Sequence, residues 1–92
     1  AGLAWPFSPM FDVARDPRGG RGSEGFGEDP YTNGVFAVAS VKGYQGNILA
    51  DAEHIAACLK HKIGYGDSEA GRDYVYTEIS PQTLWGYLYA SL

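Results

Sequence analysis

The apolar positions of this chain fall into four short blocks, separated by two long stretches that follow no period. The first block, Gly-Leu-Ala-Trp-Pro-Phe-Ser at 2–8, is continuous, brief and stopped by Pro9, which predicts a buried strand. Residues 9–29 mix proline, glycine and charge without a helical or strand repeat, and so predict a long loop. Loops of that length inside a compact domain tend to be functional. Asp29-Pro30 then reads as a helix start, with aspartate as N-cap and proline at the first helical position. Val35, Val38, Ala39, Val41 and Lys42 give one face of that helix, which spans 30–45 and ends at Gly43 or Gly46.

The third block, His-Ile-Ala-Ala-Cys-Leu-Lys-His-Lys-Ile at 54–63, is ambiguous. Alanine, leucine and lysine favour helix, yet the run is short and Gly64 and Gly66 stop it, so periodicity alone does not separate helix from buried strand. A second loop covers 63–79. Ser80 as N-cap and Pro81 at the first turn predict a last helix over 80–92, with Leu84, Trp85, Leu88 and Tyr89 on its apolar face. With a strand at 55–62 the order becomes strand–loop–helix twice, which is two βα units of a parallel α/β architecture.

Composition narrows the classes. Ninety-two residues make one small domain at most, with a thin stability margin. The net charge of −4 is spread along the chain, and no basic run or basic–aromatic stripe supports a nucleic-acid partner. No apolar run approaches the length of a membrane span. No signal peptide is visible and the chain begins with alanine, so a processed or truncated N-terminus is expected. Cys58 is the only cysteine, which rules out an internal disulfide. Thirteen glycines, clustered at 19–27 and 64–71, fit two structured loops.

Several chemistries can be tested on the motifs. The 8–30 segment alternates cations, anions and glycines, which composition alone reads as a solvated loop of surface ion pairs. Neither phosphate-cradling glycine signature occurs there at a strand-to-helix turn, and acidic residues do not alternate as a calcium loop requires. His54, Cys58 and His61 lack a fourth ligand for zinc, so no metal is expected. Cys58 sits among alanine and leucine and reads as a small core residue. Lys60-His61 is different: two adjacent potential cations end an apolar run, and burying them is costly unless each meets a polar partner.

Taken together, Phe7-Ser8-Pro9-Met10, Asp12, Ala14-Arg15-Asp16-Pro17-Arg18, Gly20-Arg21, Glu24-Gly25 and Gly27-Glu28-Asp29-Pro30 resemble the long signature of glycoside hydrolase family 3. So do Ala56-Ala57-Cys58, Lys60-His61, Gly64-Tyr65-Gly66, Glu69, Gly71-Arg72-Asp73-Tyr74, Ile79-Ser80 and Thr83-Leu84. The likeness runs from about Trp5 to Trp85. Gly19 and Lys62 stand where relatives usually carry aromatic residues, and the pattern is lost after Trp85.

The resemblance implies that the chain is a piece of a (β/α)₈ TIM-type catalytic barrel, with 2–8 and 55–62 as neighbouring strands. Both long loops would then follow strand ends, the face where such barrels carry their active sites. It implies a retaining, exo-acting β-glucosidase type of activity on a β-linked sugar, without a cofactor, in a secreted or periplasmic bacterial setting. Arg21, Lys60 and His61 match positions that grip hydroxyls of the terminal sugar, and Arg72 matches a further sugar-site arginine. Glu24, Glu28 and Asp29 are expected to orient an arginine or cap the helix. The family's nucleophile and acid/base lie in later segments, so no catalytic carboxylate is assigned here, and the Asp12, Asp16 and Asp73 positions are not nucleophilic. Such relatives often hold a cis peptide at Lys60–His61 or His61–Lys62, and a cis Ser8–Pro9 bond is expected with it. A quarter of a barrel would leave strand edges and apolar faces bare, which calls for the remaining barrel segments or for copies of the chain as partners. Trp5, Phe7, Phe36, Trp85 and Tyr89 are the side chains expected to lie uncovered. A non-catalytic barrel fragment that self-associates is the alternative reading.

Overall fold

The Asp29 side chain accepts the Thr32 amide at 2.6 Å, and Pro30 occupies the first turn, so helix α1 (Pro30–Gln45) begins where the sequence places it. Gly46 ends it, with a positive φ of 55° and its amide donating to the Lys42 carbonyl. Helix α2 (Pro81–Ala90) starts in the same manner, the Thr83 amide donating to Ser80 Oγ at 3.2 Å. The computed structural model describes residues 2–49 and 51–90, with the backbone alone at residue 90. The last two residues of the helix expected over 80–92 lie outside it.

The two segments expected as strands run side by side in parallel, but neither 2–8 nor 55–62 forms a regular strand. The Ala56 amide donates to Ala4, Cys58 to Ser8 and Lys60 to Pro9, while Phe11 returns a bond to Lys60. Among the described residues only Met10 and Lys60 make a ladder pair. Two steps along one segment match four along the other and then one, so the register slips. Pro6 and Pro9 supply the reason, because neither carries an amide hydrogen for a ladder. Residues 55–60 are not helical either, despite their local propensity. The Ser8–Pro9 and Lys60–His61 peptide bonds are both cis.

Residues 9–13 form the spine of the core, with Met10, Phe11 and Val13 buried beside Ala37 of α1 and Tyr87 of α2. The faces predicted for the helices are not the buried ones. Val35 and Val38 are half exposed while Asn33 and Ala37 are buried. On α2, Leu84, Trp85 and Tyr89 are exposed and Tyr87 is covered. Apolar residues ring α1, the pattern of a helix meant to be covered on more than one side, and a slab of 41 × 24 × 17 Å covers only one. Trp5, Phe7, Phe36, Trp85 and Tyr89 are each at least half exposed.

Each long loop contains two single helical turns: Pro17–Gly19 and Gly22–Glu24 in the first, Tyr65–Asp67 and Glu69–Gly71 in the second. The loops press directly on one another. A Cβ added at Gly66 would fall inside the Val13 carbonyl, and one at Gly71 would fall on the Arg18–Gly19 peptide. Only glycine permits that approach. Arg15 lies over the Tyr87 ring, 5.2 Å from its centroid, and ties the first loop to α2. Burial, and after it the adjacent Asp67 carboxylate, push the Tyr87 phenol up to about 12. Neither Tyr87 Oη nor Asp67 Oδ2 makes a hydrogen bond of good geometry, so burial is the dominant cause.

Candidate functional site

The site forms where the two loops leave the paired segments. Arg21 stands between the two helical turns of the first loop and closes a two-pronged ion pair on Glu24, at 2.8 Å from Nε and 2.7 Å from Nη2. Planar guanidinium and carboxylate groups match in this geometry, which fixes the arginine's plane. That pairing raises the Arg21 pKa and holds the Glu24 carboxyl below the usual carboxylate range, with the nearby Lys60 charge adding to the effect on Glu24. The remaining Arg21 nitrogen, Nη1, points to His61 Nε2 at 3.5 Å, and the guanidinium carbon lies 5.7 Å from the centre of the Tyr65 ring.

His61 is held from three sides. Its ring nitrogen Nδ1 and its backbone amide both lie 2.8 Å from the same oxygen, Oδ2 of Asp12. Its ring stacks on Tyr65, with centroids 4.1 Å apart. The Asp12 side chain is almost wholly buried, at 1% exposure, and that of His61 is partly open at 36%. Lys60 is pinned through its backbone by the pairing with Met10, and among the described residues no hydrogen bond or ion pair holds its ammonium. Tyr65 is fixed in turn by a hydrogen bond from its hydroxyl to Asp73 at 2.8 Å.

Arg21, Lys60 and His61 thus meet in one place. Arg72 does not join them: it is exposed on the second loop, and among the described residues no side-chain bond links it to the others. Its amide instead closes the turn at Glu69–Gly71. Sequence reasoning passed over Asp12 and Tyr65 as site residues. The glycines flanking Tyr65 were a signal of close packing, but nothing near Asp12 in sequence points to a histidine 49 residues away.

A cavity of about 520 Å³ opens beside the cluster, bordered by His61, Tyr65, Tyr74 and Ile79. The arrangement offers fixed cationic donors, an imidazole, aromatic faces and an adjoining hollow. That set suits a polyhydroxylated ligand better than an anion, since the carboxylates of Asp12 and Glu24 lie within it. Among the described residues no three acidic, histidine or cysteine side chains gather to hold a metal ion, and no helix is long and apolar enough to cross a membrane.

Comparison with known proteins agrees with this geometry. Residues 1–87 match the sequence profile described as the glycosyl hydrolase family 3 N terminal domain. A periplasmic beta-glucosidase of Salmonella typhimurium is 43% identical over 84 residues, covering 91% of this chain and 11% of that protein. A xylan 1,4-beta-xylosidase of Xylanibacter ruminicola is 39% identical over 80 residues, covering 86% of this chain and 9% of that protein. In structure, a beta-glucosidase from Listeria innocua superimposes on 97% of this chain with a TM-score of 0.85 and 39% identity, over 14% of its own length. The chain therefore spans about a tenth of the curated relatives it matches. With a profile matched almost end to end, curated relatives about 40% identical and a close structural counterpart, this chain belongs to glycosyl hydrolase family 3.

Proposed function

We propose that this chain is the sugar-gripping piece of a retaining, exo-acting β-glucosidase-type hydrolase, and that the nucleophile and the acid/base come from elsewhere. The observation that carries the reading is the convergence of Arg21, Lys60 and His61 at one end of two parallel segments. Arg21 and Lys60 donate to hydroxyl oxygens of a terminal β-linked sugar, contacts that orient the ring and strengthen as oxocarbenium character develops. Arg72 is a more distant member of the set, reaching the sugar only from the rim of the second loop. Structures of the Listeria innocua enzyme hold glucose and laminaribiose, which supports a glucose-type ligand.

The chain's own carboxylates are poorly suited to the chemistry. A retaining pair stands about 5–5.5 Å apart with one member free to attack and the other to carry a proton. Asp12 is engaged by His61 and Glu24 by Arg21, so each is spent on orientation. In fold, the reading makes the chain two βα units of a (β/α)₈ barrel. The parallel bonding of the segments, each followed by a loop and a helix, supports it. The bare apolar side chains support a partner surface, either the remaining barrel segments or copies of the chain. The periplasmic relative supports a secreted or periplasmic setting.

Calorimetric titration with glucose tests the site. Arg21→Ala removes a charge-assisted donor and should weaken binding roughly 10- to 100-fold, while the helical circular dichroism signal is kept. Equal affinity in the variant would show that Arg21 holds no sugar. The purified chain should leave an aryl β-glucoside intact, and turnover by it would refute the absence of a carboxylate pair.

A further inference from the structure

Among the described residues Asp12 is the buried carboxylate that the sugar-gripping set does not use, and its surroundings constrain His61 closely. A carboxylate only accepts hydrogen bonds and a guanidinium only donates them. Asp12 Oδ2 lies 2.8 Å from His61 Nδ1, and Arg21 Nη1 lies 3.5 Å from His61 Nε2. The ring is thus set between an obligate acceptor and an obligate donor. Those neighbours allow one neutral tautomer: the hydrogen sits on Nδ1 and the lone pair on Nε2. A hydrogen on Nε2 would face the guanidinium donor-to-donor and leave Asp12 Oδ2 against a bare nitrogen.

We infer that Asp12 is a positioning residue for the sugar site, holding His61 as the Nδ1–H tautomer so that Nε2 presents an acceptor to a sugar hydroxyl, which takes the place of the long 3.5 Å contact from Arg21 Nη1. This rests on the sugar-site reading above for the ligand, though not for the tautomer. It changes what His61 does within that reading. Arg21 and Lys60 only donate, whereas a hydroxyl both accepts and donates; His61 supplies the acceptor the cations lack. The burial of Asp12 points the same way. Its second oxygen, Oδ1, is buried with no partner, an arrangement that costs stability. A carboxylate kept in place despite that cost is held there for its neighbour. Its grip is also doubled, since the His61 backbone amide donates to the same Oδ2 and leaves the histidine little freedom to turn.

Long-range proton–nitrogen correlation NMR of the imidazole nitrogens, on the 92-residue chain at neutral pH, tests this directly. The expected spectrum shows His61 as a single Nδ1–H tautomer. An Nε2–H tautomer, or a mixture in exchange, overturns the inference without any variant. Asp12→Ala removes the acceptor that both His61 nitrogens share, so the lock should be lost. The spectrum should then show both tautomers, and glucose affinity by calorimetry should fall roughly tenfold or more, as for loss of a hydrogen bond to a charged group. An unchanged Nδ1–H tautomer in Asp12→Ala, with unchanged affinity, also overturns it. If the wild-type tautomer is fixed as expected but glucose does not bind, the sugar-site reading falls and the hold of Asp12 on His61 stands. Because the first measurement needs only the wild-type chain, misfolding of the variant cannot shelter the idea.

Discussion

Replacing Asn33 by alanine probes how the first loop is held to α1. Asn33 is fully buried, with no exposed surface. Its amide donates to the carbonyls of Gly27 at 3.0 Å and Asp29 at 2.8 Å. The same Gly27 carbonyl accepts the Ala14 amide at 3.1 Å, so this one side chain gathers both ends of the loop that carries Arg21. Alanine removes two neutral hydrogen bonds worth about 0.5–1.5 kcal/mol each. It also removes Asn33 Oδ1, buried without a partner, and that relief offsets about 1 kcal/mol. Both carbonyls keep a second donor, from Ala14 and from the Asn33 amide itself. The net loss is therefore about 0–2 kcal/mol, centred on about 1 kcal/mol, which is a fall in Tm of roughly 4–8 °C for a domain of this size. Asn33→Asp should cost more, because it keeps the shape and turns a carboxylate oxygen toward two carbonyls. Thermal melts followed by circular dichroism, all at one protein concentration because association shifts Tm, give the comparison. A rise in Tm for Asn33→Ala, or an Asn33→Asp variant as stable as wild type, would refute this account of the loop.

Three further outcomes are expected. Gly66→Ala should lower Tm by about 1–3 kcal/mol worth of overpacking and weaken glucose binding with it, whereas Gly43→Ala, inside α1 with open space around the added Cβ, should be neutral or stabilising by about 0.5–1 kcal/mol; equal effects at the two sites would contradict the loop contact. Burial favours the neutral Tyr87 phenol in the fold, so its contribution is complete below the ordinary value of 10.0 and is lost as pH rises through about 12. A phenolate absorbance titration should show one late tyrosine that disappears in Tyr87→Phe, and seven tyrosines titrating together near 10 would count against it. Sedimentation at micromolar concentration should find the isolated chain associated, because five large side chains left bare at about 1.5–3 kcal/mol each rival the 5–15 kcal/mol that holds a domain together; a compact monomer with a cooperative melt would end that argument.

Local chemistry was the legible part of this chain. Asp29-Pro30 and Ser80-Pro81 mark the helix starts because a cap and a proline act within one turn. The buried faces were not legible in the same way. Val35, Val38 and Phe36 surround α1 with apolar surface, so the pattern gives a period without a phase, and the face actually buried is set by Asn33 and Ala37. The 55–60 segment is decided by its partner across the molecule, which overrides its local helical preference. Lys60 and His61 stood out as adjacent cations ending an apolar run, but only the family signature joined them to Arg21, since no spacing rule links positions 40 apart. Asp12 and Tyr65 escaped because their roles exist only once the two loops touch.

The cluster around His61 is divided almost evenly along the chain. Asp12, Arg21 and Glu24 precede the turn that follows α1, and Lys60, His61 and Tyr65 come after it, while residues 47–49 and 51–53 between them are exposed. Cutting the polypeptide there would yield two halves, each with one loop and one helix and neither with a complete set of groups. Ligand recognition would then depend on the halves finding each other, through the parallel backbone bonds and the glycine contact of the loops. The arrangement is suited to a split reporter, in which two fused proteins brought together restore a sugar-dependent signal that neither half gives alone.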